Sequence, residues 1–174
     1  AHKNVILFSP HPDDDVISMG GTFIRLADQG HNVHVAYQTS GNNAVWDDDA
    51  RRFLEFAEDI TKELGTDASK ITDLYNESNA FFAKKKPSER DPEIIRKVKA
   101  YIRKGEAIAG ARLVGLPDSN IHFQDLPFYD QAKENKSYSL EADIVETMEL
   151  MRKVKPHQVF AAGDFYDPNG THKV

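Results

Sequence analysis

The densest chemistry in the 174-residue chain lies in Pro10-His11-Pro12-Asp13-Asp14-Asp15, where an imidazole and three carboxylates share five consecutive residues. Adjacent carboxylates repel one another and ask for a compensating positive charge, yet no Lys or Arg occurs between Lys3 and Arg25. A divalent cation is the simplest supply of that charge. His11 and Asp14 offer one nitrogen and one oxygen donor, which suits Zn2+ better than Mg2+. Pro10 and Pro12 stiffen the segment that carries them. A catalytic zinc needs three protein ligands and an open position for water, and His172, in the loop after the last predicted strand, is the best-placed candidate for the third. Two other readings stand beside this one. Asp-rich turns after strands also occur as solvated helix N-termini, where carboxylates favour the positive end of the helix dipole. An acidic Mg2+ pocket of the phospho-receiver type also gathers carboxylates after a first strand, but it leaves His11 without a role.

Other residues can serve such a site, and each has a plainer alternative. Asn42 and Asn43 follow a predicted strand and can read sugar hydroxyls or simply form a turn. Arg51, Arg52 and Arg103 can bind a substrate phosphate. For Arg51 and Arg52 a solvated helix face is the better reading, and Arg103 with Glu106 can be a helical i, i+3 pair. Asp167 can orient His172 or form a turn before Pro168. Phe128-Tyr129 and Trp46 can wall a sugar site, although core packing is the default for paired aromatics. His2, His31, His34, His122 and His157 show no ligand spacing and read as structural or exposed.

The elements that must position these residues follow from periodicity. Asn4–Phe8 is a short apolar run ending at Ser9-Pro10, as expected of a strand buried on both faces of a parallel sheet. One helix is expected across Val16–Ala27, closed by Gly30, and a second strand over His31–Tyr37. The spacing then predicts helices over Asp47–Gly65, from Asp91-Pro92-Glu93 to about Val114, and over Leu140–Lys153 with Ser139 as its cap. Further strands are expected at Asn120–Phe123 and Val159–Ala162. The stretch from Thr66 to Ser88 has no clear assignment beyond a short helix end or a turn at Phe81-Phe82. This alternation implies an α/β, Rossmann-like three-layer sandwich with a mostly parallel sheet. Because no helix pattern follows the last strand, the sandwich is expected to be C-terminally incomplete. Residues 1–174 then form a single domain of a longer chain, and Ala1-His2-Lys3 reads as an internal boundary.

Composition narrows the classes. With 22 Lys+Arg against 28 Asp+Glu, a net charge of -6 argues against nucleic acid as the main partner. No apolar run approaches the roughly 20 residues of a membrane helix. The absence of cysteine removes disulfides, thiolate metal sites and cysteine nucleophiles, and a cytoplasmic, reduced compartment is expected.

His11-Pro12-Asp13-Asp14 after the first strand, Gly20-Gly21 in the next helix and Thr39-Ser40-Gly41 after the second strand resemble the LmbE-like de-N-acetylases. Arg103 and Glu106, Gly115 and Leu126-Pro127-Phe128-Tyr129 also match that family's run. The family includes the deacetylase of N-acetylglucosaminyl-phosphatidylinositol and bacterial deacetylases of N-acetylglucosaminyl thiol precursors. Within it, the likeness is greatest to the deacetylase-like domain fused to glucosamine-6-phosphate deaminase-like domains. The resemblance implies zinc ligands at His11, Asp14 and His172, a general base at Asp13, one Zn2+ as cofactor, and hydrolysis of the acetamide of an N-acetylglucosamine-type sugar or conjugate. It also implies one departure: the family's His-x-x-His pair in the last loop is here Asn169-x-x-His172. Asparagine can donate a hydrogen bond but cannot carry a proton at neutral pH. The competing expectation is therefore a non-catalytic sugar-binding or regulatory module attached to a deaminase-like enzyme. An amino-sugar substrate, a fused sugar-phosphate enzyme domain and a homo-oligomer are the partners that such a chain admits.

Overall fold

A computed structural model describes residues 2–129, 141–164, 166 and 171–173. Four strands, β1 (Asn4–Ser9), β2 (Asn32–Tyr37), β3 (Ile121–Phe123) and β4 (Gln158–Ala161), form one sheet in the order β3-β2-β1-β4. Every pairing is parallel. Six α-helices occur among the described residues: α1 (Asp14–Ile17), α2 (Gly20–Asp28), α3 (Asp47–Glu63), α4 (Ser69–Phe82), α5 (Glu93–Leu113) and α6 (Glu141–Val154). This is the α/β, Rossmann-like sandwich expected from the alternation of patterns.

The chain groups into two compact units, residues 1–40 with 104–174, and residues 41–103. The first unit holds the sheet. Alternation along β1 sends Val5 and Leu7 to one face and Ile6 and Phe8 to the other. Val5 and Leu7 join Val33, Val35 and Tyr37 under Phe23 and Leu26 of α2 and Ala107 and Ala111 of α5. Ile6 and Phe8 join Ala36 under Leu150 and Val154 of α6. Both faces of β1 are thereby buried, which is why its sequence is a continuous apolar run rather than an alternating one.

The single helix expected over Val16–Ala27 is two, α1 and α2, separated at Ser18 and Met19. Glycine is a poor helix former, and Gly20-Gly21 opens α2 rather than extending a helix through it. The stop at Gly30 is met: its φ is +74°. Gly30 N–H donates to Ala27 O at 2.8 Å and His31 N–H to Leu26 O at 3.2 Å, the paired bonds of a glycine-ended helix. The cap proposed at Ser139 lies outside the described residues.

In the second unit the unassigned stretch contains α4, and Phe81-Phe82 is its end. Ile71, Leu74, Tyr75 and Phe82 sit at helical spacing there, but Ser78 fills a buried position between them, which blurs the apolar stripe. Apolar packing of Val45, Ala50 and Ile102 with Phe82 and Val98 is joined by a charged group. The Lys99 ammonium, 3% exposed, lies 2.6 Å from Asp47 and 2.7 Å from Asp91, and Lys85 also pairs with both. Asp91, expected to cap α5, lies two residues before its start at Glu93 and serves this group. Removing one partner of such a buried pair costs about 3–5 kcal/mol, because the other charge is left uncompensated. Arg52 pairs with Asp49 on the exposed face of α3, as expected of a solvated face. Arg51 departs from that expectation: it pairs with Asp48 but is half-buried, donates to Asn79 Oδ1 of α4 at 2.8 Å and lies over the Phe82 ring.

The first unit also holds a histidine pair. His34 Nδ1 lies 3.0 Å from His122 Nε2, and the rings stack with centroids 5.3 Å apart. The Asn32 amide donates to His34 Nε2 at 3.2 Å, so the proton on His34 sits at Nδ1 and is donated to His122. Burial, then Lys153, holds His34 below its ordinary value. Burial, then His34 and Lys153, pushes His122 down to about 4. At His122 the unfolded chain therefore binds more protons than the folded one between about pH 6.5 and pH 4. Stability contributed by His122 falls as pH drops through that window and is intact above it. Melting temperature followed from pH 7 to pH 4 should fall less steeply in His122→Gln than in the unaltered protein.

Candidate metal centre

The loop after β1 and the segment after β4 meet where the strand order reverses. In open α/β sheets this crevice, at the carboxyl ends of the strands, is the usual ligand site. β1 and β4 are adjacent and in register from Val5↔Gln158 to Phe8↔Ala161, and Ala162 N–H donates to Phe8 O at 3.3 Å. Both chain segments therefore leave the sheet side by side.

Three donor atoms meet there. His11 Nδ1 lies 3.2 Å from Asp14 Oδ2, His172 Nε2 lies 3.2 Å from His11 Nδ1, and His172 Nε2 lies 3.4 Å from Asp14 Oδ2. A tetrahedral ion with bonds of about 2.0–2.1 Å separates its ligand atoms by about 3.3–3.4 Å. The triangle has that size. Among the described residues these three are the one group of three or more His, Asp or Glu side chains able to hold a metal ion.

The ring of His172 is oriented for this. Its Nδ1 lies 3.1 Å from the Ala162 carbonyl, which can only accept, so Nδ1 carries a proton and Nε2 is the nitrogen turned to the triangle, free to coordinate once deprotonated. Asp14 Oδ2 also accepts the His11 backbone N–H at 2.9 Å. Burial raises the Asp14 carboxyl, but the hydrogen bonds from His11 and the charges of His172 and His11 outweigh it, leaving Asp14 below the usual range. An oxygen held ionised beside two imidazole nitrogens is a competent donor set for zinc.

The neighbouring carboxylates are used differently. Asp13 is half-buried at the start of α1, and its carbonyl accepts from Val16 N–H at 3.0 Å and Ile17 N–H at 2.8 Å. Asp15 turns away from the triangle into the core, 1% exposed, and receives the Tyr37 hydroxyl at 2.8 Å. Burial pushes the Asp15 carboxyl up, partly offset by its hydrogen bonds from Tyr37, backbone N–H groups and Ser9. Burial and Asp15 push the Tyr37 phenol up in turn. The crowding of three carboxylates at one site, expected from their adjacency, is thus relieved in part by geometry.

Tyr129 was expected only as a candidate wall. Its ring stands edge-on to His11, with centroids 6.1 Å apart, while Phe128 is buried. Asn42 and Asn43 form a short 3-10 turn, Asn42–Ala44, in the second unit; Asn42 is buried and Asn43 exposed. Arg103 lies on α5 in that unit, and Trp46, at the start of α3, is 78% exposed. Asp167 and Asn169 lie outside the described residues. Sequence reasoning passed over Ser9, Asp15 and Tyr37 as a group. The available signal was a hydroxyl residue and a tyrosine ending two adjacent strands.

The sequence pattern of the PIG-L family, described as GlcNAc-PI de-N-acetylase, matches residues 6–174. The chain is 46% identical over 173 residues to a glucosamine-6-phosphate deaminase-like protein of Bacteroides thetaiotaomicron. That alignment covers 99% of this chain and 26% of the relative, so the chain spans about a quarter of the relative's length. No solved structure matches the chain significantly. No helix among the described residues is long and apolar enough to cross a membrane.

His172 is one of the groups that keep Asp14 ionised. In metal-free protein, His172→Ala should raise the pKa of the Asp14 carboxyl. Carbon NMR titration of that carboxyl would detect the shift; an unchanged titration would separate the two side chains.

Proposed function

The chain belongs to the PIG-L family, and on that premise we propose that this domain is a zinc-dependent amide hydrolase that removes the acetyl group from an N-acetylglucosamine-type sugar or conjugate. The observation that carries the proposal is the triangle of His11 Nδ1, Asp14 Oδ2 and His172 Nε2, with edges of 3.2–3.4 Å. When bound, zinc supplies a Lewis acid for the amide carbonyl and lowers the pKa of a water molecule. The chain's own residues do the rest. Asp13, next in sequence to the ligand Asp14, accepts the proton of the attacking water and returns it to the departing amine. The amide C–N bond breaks, giving acetate and the free amino sugar. Asn169 donates a hydrogen bond to the developing oxyanion, and Tyr129 lines the approach beside His11. Asn42, Asn43 and Arg103 are proposed to contact the sugar, and Asp167 to orient His172.

A second reading has one feature in its favour. Asn169 cannot shuttle a proton, and losing one oxyanion partner can lower rates by ~10²–10³. A domain that binds an amino sugar without turning it over, attached to a sugar-phosphate enzyme, would tolerate that residue. The name of the Bacteroides relative supports such an attachment. The partners proposed under either reading are an amino sugar and a covalently joined enzyme domain, in a cytoplasmic setting; self-association is compatible with both.

Metal analysis and acetate release across a panel of N-acetylglucosamine derivatives test the proposal together. About one zinc per chain is expected, lost in Asp14→Ala. Acetate release is expected to fall by ~10²–10⁴ in Asp13→Ala and to rise in Asn169→His. Full metal occupancy in Asp14→Ala would overturn the ligand assignment. Sugar binding without release across the panel would favour the non-catalytic module.

A further inference from the structure

We infer that Ser9, Asp15 and Tyr37 form a positioning clamp that sets the metal affinity of the His11–Asp14 turn without any of them touching the ion. The inference rests on the metal-centre reading and extends it to residues outside the donor triangle. Ser9 ends β1 and Tyr37 ends β2, and the two are partners on the last rung of their parallel ladder. Both side chains are fully buried.

The Ser9 hydroxyl joins the two ends of the turn. It donates to His11 O at 2.6 Å and accepts Asp15 N–H at 2.9 Å. The residue before the turn is thereby fastened to the carbonyl of one metal-site residue and to the amide directly after the other. From the neighbouring strand, the Tyr37 hydroxyl donates to Asp15 Oδ2 at 2.8 Å. The Tyr37 ring is itself fixed by stacking on Phe123 of β3, with centroids 5.1 Å apart. Three strands of the sheet thus hold one short turn through one buried carboxylate, that of Asp15, and two buried hydroxyls, those of Ser9 and Tyr37.

The chemistry needs such a hold. Donor atoms must stay within about 0.5 Å of their places for a site to work, and α1 is only a four-residue helix. Pro10 and Pro12 fix two φ angles of the turn, but they do not fasten it to the sheet. Residues that orient metal ligands from behind typically change affinity 10–100-fold when removed.

Zinc affinity measured by chelator competition, alongside the melting temperature of each metal-free protein, separates positioning from plain stability. Tyr37→Phe and Ser9→Ala are expected to bind zinc 10–100-fold more weakly than the unaltered protein. Asp15→Asn, which keeps an acceptor for the tyrosine, should stay within about threefold, whereas Asp15→Ala should match the weak variants. Leu150→Ala, which opens the core on the opposite face of the sheet, should lower the melting temperature and leave affinity unchanged. Unchanged zinc affinity in both Tyr37→Phe and Ser9→Ala would overturn the clamp and leave the metal centre standing. Equal weakening in Leu150→Ala would overturn it too. Failure of the unaltered protein to hold zinc would instead remove the metal centre itself.

Discussion

Parallel pairing of β1 with β4 is the constraint on which the candidate site depends. His11 and His172 are 161 residues apart in sequence, yet their ring nitrogens approach to 3.2 Å. They meet because the two strands end in register at the point where the strand order reverses. No local property of either loop would bring them together. The sheet is secured by burial on both faces of β1, so the apolar side chains of Asn4–Ser9 and the polar chemistry just beyond them are parts of one arrangement. Disruption of the β1–β4 ladder would remove the carbonyl of Ala162 as the partner of His172 along with it.

Asp14 and Asp15 show how one residue of separation divides two roles. Asp14 faces two imidazoles and remains below the ordinary carboxylate range, because interactions with His11 and His172 overcome the effect of burial. Asp15 faces a tyrosine hydroxyl in the core and lies above that range, because there burial prevails. A carboxylate suited to holding a cation thus stands next to one suited to holding the backbone. Adjacent carbonyl, amide and hydroxyl groups around Ser9 connect the two.

Much of this was legible in the residues alone. Apolar runs bounded by Pro, Ser and Gly marked β1 and β2, and the strand-helix alternation implied the sandwich. His11, Asp14 and His172 were singled out by donor chemistry and strand-end position, and the structure brings their donor atoms together. Other features were hidden for physical reasons. Nothing in Asp13-Asp14-Asp15 says which carboxylate turns inward, since that depends on Tyr37, 22 residues beyond Asp15 and on another strand. The helix α4 escaped because a buried serine interrupts its apolar stripe, and the break between α1 and α2 because periodicity continues across it. His34 and His122 have no common motif. They meet across paired strands, Ala36 of β2 standing opposite His122 in the ladder.

Anomalous diffraction from zinc-loaded crystals is the most direct measurement of the central claim. The account predicts one strong peak within about 2.0–2.1 Å of His11 Nδ1, His172 Nε2 and an Asp14 oxygen, the normal bond lengths of such an ion. A zinc peak bonded to other side chains, or to His11 and Asp14 with His172 turned away, would contradict it.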